Sequence, residues 1–328
     1  MNLKRIAALL LALCLLSLCA CGAQPEPAAE PSAAPQTTTQ PTTPAPTSET
    51  QNPNLTGNFV FTKENYPRMG GSLANLPLGQ AVTATVLGIS REDANELITF
   101  AGSTTDNYKA IVDGTFDILL AYEPSEEAKQ YIQDSGNELE MTPIGVDALV
   151  FICAKDNPVQ SLTLDQIKSI YTGKTTDWSA VGGKRGEIAA YQRNPDSGSQ
   201  TLFDKLLGLG NDLVEPPEGR QVGTMMGLLE AIADYEDSEN ALGYTVYYYL
   251  TNMESEKLNR AKILAVGGVA PTNETIGNGT YPLTNDFYVV IRKSAKENSP
   301  ERVLYNWICS AQGAKLVQQE NYPVRKAN

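Results

Sequence analysis

Histidine is absent from the 328 residues. Its absence removes the commonest general base, the Ser-His-Asp arrangement and most zinc sites. Cysteine is scarce: of five, only Cys153 and Cys309 lie beyond Cys21. Cys153 sits in an apolar, strand-like run and Cys309 in a helix-like one, which reads as two buried thiols, with a disulfide between them as the alternative. Other chemistry is lacking too. No Ser-x-x-Lys is placed as a nucleophile pair. Gly173-Lys174-Thr175 is half a phosphate loop, because Lys168 stands where the earlier Gly is required, so a turn is the better reading. "DYEDSEN" (234–240) lacks the spacing and central Gly of a calcium loop. An enzyme finds little support, and no cofactor is expected. Basic charge is also short. Without Lys4 and Arg5 of the leader, 25 − 2 = 23 basic residues face 38 acidic ones, a net −15. That disfavours nucleic acid as a partner and gives no general attraction to anionic lipid.

What is present begins with a leader. Lys4 and Arg5 precede an apolar run from Ile6 to Leu18, too short and wrongly flanked for a spanning helix, so residues 1–20 read as a secretory signal. Leu18-Cys19-Ala20-Cys21-Gly22 resembles a bacterial lipobox, which implies cleavage before Cys21 and a diacylglycerol on its sulfur. The alternative is a plain secreted protein with a chance Cys. Residues 21–57 form the next segment; its stretch 22–56 holds eight of the 20 prolines and almost no large apolar side chain. Such a chain cannot bury enough surface to offset its ordering entropy and reads as an extended tether. Residues 58–328 are enough for one sizeable core or two joined lobes.

Within that domain, helical and strand-like patterns alternate, which favours an α/β fold. Residues 77–88 and 105–114 read as helices, the second capped by Thr105 and stopped by Gly114. Residues 116–122 and 148–154 read as buried strands, and the helix after the second ends at Gly173. Residues 241–250 and 287–292 read as later strands, with Tyr247, Tyr248 and Tyr249 in strand core, and one or two helices close the chain. The sharpest stretch is "YQRNPDSGSQTLFDKLLG" (191–208). Leu202, Phe203, Leu206 and Leu207 recur at three- and four-residue steps, and Ser197 and Gln200 have capping-box spacing, so a helix starts near Ser199. A plain helix cap explains that much. Arg193 and Gly198 suggest more: free amides at a helix start, hydroxyls and one guanidinium make a receptor for an oxyanion. Two further helix starts are rich in small polar residues, Gly71-Ser72 and Ser103-Thr104-Thr105. Three such starts fit a fold that aims helix N-termini into one cleft.

These stretches resemble the phosphate-binding proteins of bacterial phosphate ABC transporters. The likeness runs over most of residues 66–328 and is most specific in "NPVQSLTLDQIKSIYTGKTTDW" followed by "RNPDSGSQ". It implies a two-lobed type II solute-binding fold with a ligand cleft between lobes, one lobe from about 58–150 and 242–328, the other from about 151–241. It implies that Arg193 grips the anion and that Ser197 and Ser199 donate hydroxyl hydrogen bonds. The Gly198 and Ser199 amides would point at the same oxygens, and Thr105, beside Thr104, would supply a further hydroxyl. Glu123 would accept a hydrogen from protonated phosphate, which excludes sulfate because two facing acceptors share no proton. Asp117 matches the family at a position read as structural. Two departures stand out. Leu73 replaces the usual Thr, so Ser72 would have to compensate, and Pro195 occupies the usual acid position, with Asp196 one residue on. The implied partners are inorganic phosphate, an ABC permease with its cytoplasmic ATPase, and a membrane reached through the lipid. A monomer on the extracellular face of a Gram-positive cell is expected. Another oxyanion or small polar ligand, or a surface sensor or adhesion role, stays open.

Overall fold

Apolar runs bounded by turn residues become strands, and runs with a one-sided apolar stripe become helices packed against them. The computed structural model describes residues 59–100, 102–234 and 238–325, all within one compact unit, Thr50–Asn328. The leader, Cys21, the tether to residue 57 and residues 235–237 of the acidic run lie outside the described residues. The strands are β1 Met69–Gly71, β2 Ile98–Thr99, β3 Ile118–Ala121, β4 Leu139–Ala154, β5 Ser161–Leu162, β6 Ala189–Ala190, β7 Gln192–Arg193, β8 Gln221–Val222, β9 Ala241–Val246, β10 Ala261–Ile263, β11 Ala265–Val266 and β12 Thr284–Arg292. The helices are α1 Leu76–Leu87, α2 Arg91–Asn95, α3 Thr104–Val112, α4 Glu126–Ser135, α5 Leu164–Tyr171, α6 Gly198–Leu207, α7 Met225–Ala233, α8 Asn273–Gly277, α9 Pro300–Ile308 and α10 Ala311–Gln319. The fold is α/β, as the alternation of patterns predicts.

One strand organises the sheet. The described strands give a mixed sheet in the order β2-β1-β3-β12-β4-β9-β6, with β10 also on β4. Residues 139–148 of β4 pair with β12, whereas residues 149–153 pair with β9. β4 therefore joins β12 on one side to β9 on the other within one sheet. The expected return at residue 242 falls inside β9, which pairs with the second half of β4. The second half of β4 is fully buried and reads as a strand in the sequence. Its first half is only partly buried and carries Pro143 and Gly145, so no apolar run marks it.

Four local expectations are corrected. Ser103, not Thr105, caps α3, through a reciprocal capping box with Asp106. β9 stops at Val246, and Tyr249–Met253 forms a wide helical turn. Tyr248 and Tyr249 are buried there, outside any strand. Cys153 and Cys309 are free, as read, but Cys309 is exposed because it faces outward at the end of α9.

Packing fixes the helix that matters most. Phe203 on α6 stacks on Tyr244 of β9 at 4.4 Å and meets Tyr171 edge-on at 4.8 Å, above Phe151 of β4. Burying these rings contributes the area-proportional hydrophobic gain and about 0.5–1.5 kcal/mol per pair beyond it. The amphipathic stripe of α6 thus locks the N-terminus of that helix in place.

Candidate functional site

A cavity of about 460 Å³ is lined by residues from distant parts of the chain, among them Ser72, Thr104, Arg193, Ser197, Gly198 and Ser199. Each is held by its element. Ser72 leaves β1 after Gly71, where an added Cβ would lie 2.0 Å from the Leu120 carbonyl oxygen, so only glycine lets β1 lie this close to β3. The Ser72 amide donates to that carbonyl at 3.0 Å, and its Oγ accepts from the Tyr122 amide at 3.3 Å. Ser72 Oγ also lies 3.2 Å from Thr104 Oγ1, at the first residue of α3.

Across the cavity, Ser197 caps α6 by accepting the Gln200 amide at 3.1 Å. The reciprocal arm of the box is not made. Gln200 instead accepts from the Tyr244 hydroxyl and donates to Asp204. The two helix starts nearly touch: a Cβ on Gly198 would sit 2.5 Å from Thr104 Oγ1. The Thr105 amide also reaches the Asp196 carbonyl at 3.4 Å.

Arg193 is the centre of this wall. It is 6% exposed, and its backbone N–H donates to the Tyr244 hydroxyl at 3.0 Å. Its Nε donates to the Val222 carbonyl, Nη1 to Ser199 Oγ and Nη2 to the Gly223 carbonyl. These neutral acceptors take three of its five N–H groups and leave two over. Among the described residues no carboxylate pairs with it. Burial pulls its pKa down to about 10, still charged at neutral pH. A buried cation without a counter-ion is costly unless an anion completes it. The starts of α3, α6 and α7 and the hydroxyl residues Ser72, Thr104, Ser197 and Ser199 line the same space.

Two predicted residues stand elsewhere. The Thr105 hydroxyl is taken by Ser125 Oγ at 2.7 Å and the Asp196 carbonyl at 3.3 Å, and Thr105 does not line the cavity. Glu123 borders a separate groove, where it accepts from Lys205 Nζ at 2.7 Å and the Tyr288 hydroxyl at 2.9 Å. Burial acts to raise its pKa, but Lys205 and Tyr288 outweigh it and hold the carboxyl below its usual range. Asp196 does line the cavity, and Leu73 lies in its wall. Asp117 is structural, accepting from the Nε and Nη2 of Arg68 and from Arg292.

The sequence reading missed Tyr122, Asn194 and the start of α7, Gly223-Thr224-Met225, all in the cavity wall. The α7 start was legible: Thr224 precedes an apolar run and caps it by accepting the Gly227 amide. Tyr122 and Asn194 carry no such signal. Among the described residues, no group of three or more acidic or cysteine side chains is placed to hold a metal ion.

The profile of the PBP superfamily domain matches residues 68–313. The phosphate-binding protein PstS of Borreliella burgdorferi is 24% identical over 79% of this chain and 90% of its own length. PstS of Bacillus subtilis is 26% identical over 66% of each. The crystal structure of a phosphate ABC transporter substrate-binding protein with bound phosphate, from Clostridium perfringens, superposes with a TM-score of 0.63. At 24% identity, covering 80% of this chain and 100% of that one, it shares the fold. The matched span runs from β1 through α9 and takes in every cavity residue named above, and the chain belongs to the PBP superfamily.

Proposed function

We propose that this protein captures inorganic phosphate outside the cell and delivers it to an ABC permease driven by a cytoplasmic ATPase. It acts as a monomer held to the membrane by lipid on Cys21. One observation carries the ligand class: Arg193 is buried, charged and without an acidic partner among the described residues, at a cavity edged by helix starts. An oxyanion supplies the missing charge and accepts the spare N–H groups. Ser72, Thr104, Ser197 and Ser199 offer hydroxyls, and the Gly198 and Ser199 amides stand at the first turn of α6. The names of the relatives support phosphate among oxyanions.

Selection of phosphate over sulfate needs an acceptor for the phosphate proton. Asp196 fits that role, since its residue lines the cavity while Glu123 is engaged by Lys205 and Tyr288. Leu73 in the wall favours a second reading, another oxyanion. Calorimetric titration with phosphate, sulfate and molybdate tests both readings. Phosphate binding tightest is the expected result. A preference for another anion would replace the ligand, and silence from all three would remove the oxyanion reading.

A further inference from the structure

Asp147 is a buried carboxylate that the anion site does not use. It is 0% exposed and lies on β4 where pairing passes from β12 to β9. Its Oδ2 accepts the Tyr122 hydroxyl at 2.6 Å. Its Oδ1 accepts the Ala148 amide at 2.7 Å and the Tyr248 amide, just past β9, at 3.1 Å. Among the described residues, the ionisable groups around it are tyrosines: Tyr122 at the end of β3, Tyr247 and Tyr248 after β9, and Tyr322 near the C-terminus. From β12, Asn285 stands opposite it in register. Among those residues no basic group offsets its charge.

Both arms of this carboxylate lead to the same cavity loop. Through Tyr122, whose amide donates to Ser72 Oγ, one arm reaches the hydroxyl beside Thr104. The other runs through Tyr248, whose ring stacks on Tyr322 at 3.6 Å, and the Tyr322 hydroxyl donates to the Ala74 carbonyl at 2.7 Å. Tyr122 and Ala74 both line the cavity. A buried carboxylate without a cation is a costly way to fill space, and an apolar residue would pack there more cheaply. Two of its three donors, the Tyr122 hydroxyl and the Tyr248 amide, come from segments other than β4, so its geometry specifies how they meet that strand.

We propose that Asp147 is a positioning residue of the binding site, tying the crossing strand and the chain after β9 to the Ser72–Ala74 loop so that the cavity wall keeps one shape. The affinity consequence rests on the phosphate reading above; the positioning itself does not. The test uses the full-length protein in detergent. Asp147→Leu should weaken phosphate binding by about tenfold in the folded protein, while Asp147→Asn, which can still accept the two amides, should stay within about threefold. If Asp147→Leu does not fold, Tyr122→Phe deletes the Oδ2 link alone and should weaken binding by about threefold. Hydrogen exchange on the ligand-free protein supplies the second arm. Amides of residues 72–75 should exchange about tenfold faster in Asp147→Leu or Tyr122→Phe, with those of α9 unchanged. Variants that lower only the melting temperature, leaving both affinity and exchange at 72–75 as in wild type, would overturn the proposal. A wild-type protein that binds no phosphate sinks the phosphate reading, and the exchange arm still decides for or against Asp147.

Discussion

Arg193, Asp196 and Glu123 carry the residue-scale expectations. Charge-assisted hydrogen bonds contribute about 1.5–3 kcal/mol each, so Arg193→Ala should weaken phosphate binding at least about tenfold by calorimetry. Arg193→Lys should recover only part of the loss. A point charge cannot reproduce the fork that now spans Ser199, Val222 and Gly223. The acids separate by place. Asp196→Asn should raise sulfate affinity relative to phosphate, because an amide can donate where a carboxylate cannot. Glu123→Gln should leave that ratio unchanged, since Glu123 borders a separate groove with its Oε1 held by Lys205 and Tyr288. Competition titrations on both variants decide, and the reverse pattern would return the role to Glu123. Arg193 could be singled out in the sequence because a lone Arg before Pro-Asp-Ser-Gly-Ser has few structural reasons to be there. The engagement of Glu123 could not, because Lys205 and Tyr288 lie 82 and 165 residues away.

At the scale of elements, the site depends on two helix starts meeting at close range. Ser197→Ala removes the cap of α6 and should cost about 1 kcal/mol of stability in thermal unfolding. Gly198→Ala acts differently. Its new Cβ would lie 2.5 Å from Thr104 Oγ1, so that hydroxyl must swing away or α3 and α6 must separate, and either change should weaken phosphate binding. Adding Thr104→Ala removes that oxygen and should restore part of the lost closeness, giving a non-additive cycle. Strictly additive losses would mean that the contact does not set the spacing. The helices themselves were legible from capping residues and apolar steps, as α1 and α6 illustrate. Their ends were less so: Ser103, Thr104 and Thr105 are all plausible caps, and only the Asp106 reciprocity selects Ser103.

Asp147 also governs a property of the whole molecule. Burial raises its pKa from 3.8 to about 6, partly offset by its three donors. The folded state therefore holds a proton that the unfolded chain releases earlier. The resulting stability is full below about pH 4 and is lost as pH rises to about 6, amounting to about 3 kcal/mol. Asp147→Asn should remove this slope, so denaturant unfolding of wild type minus variant should fall between those pH values and then level. A flat difference would contradict the shift. Anchoring belongs to the same scale. Cys21→Ser should release the protein into the medium or leave it unprocessed, and fatty-acid labelling that persists in the variant would exclude Cys21 as the attachment site.

The sequence by itself determined the local chemistry: absence of histidine, an apolar N-terminal run ending in a lipobox-like Cys21, an α/β alternation, and a cluster of Arg, Ser and Gly at one helix start. These depend on residues a few positions apart, where spacing fixes geometry. Only the tertiary structure decided which polar groups face the cavity and which are taken elsewhere. Thr105 is claimed by Ser125, Glu123 by Lys205, and Asp147 by Tyr122 and Tyr248. A buried polar group takes the partner that the fold brings to it, and segments distant in the chain meet only through the packing of the sheet.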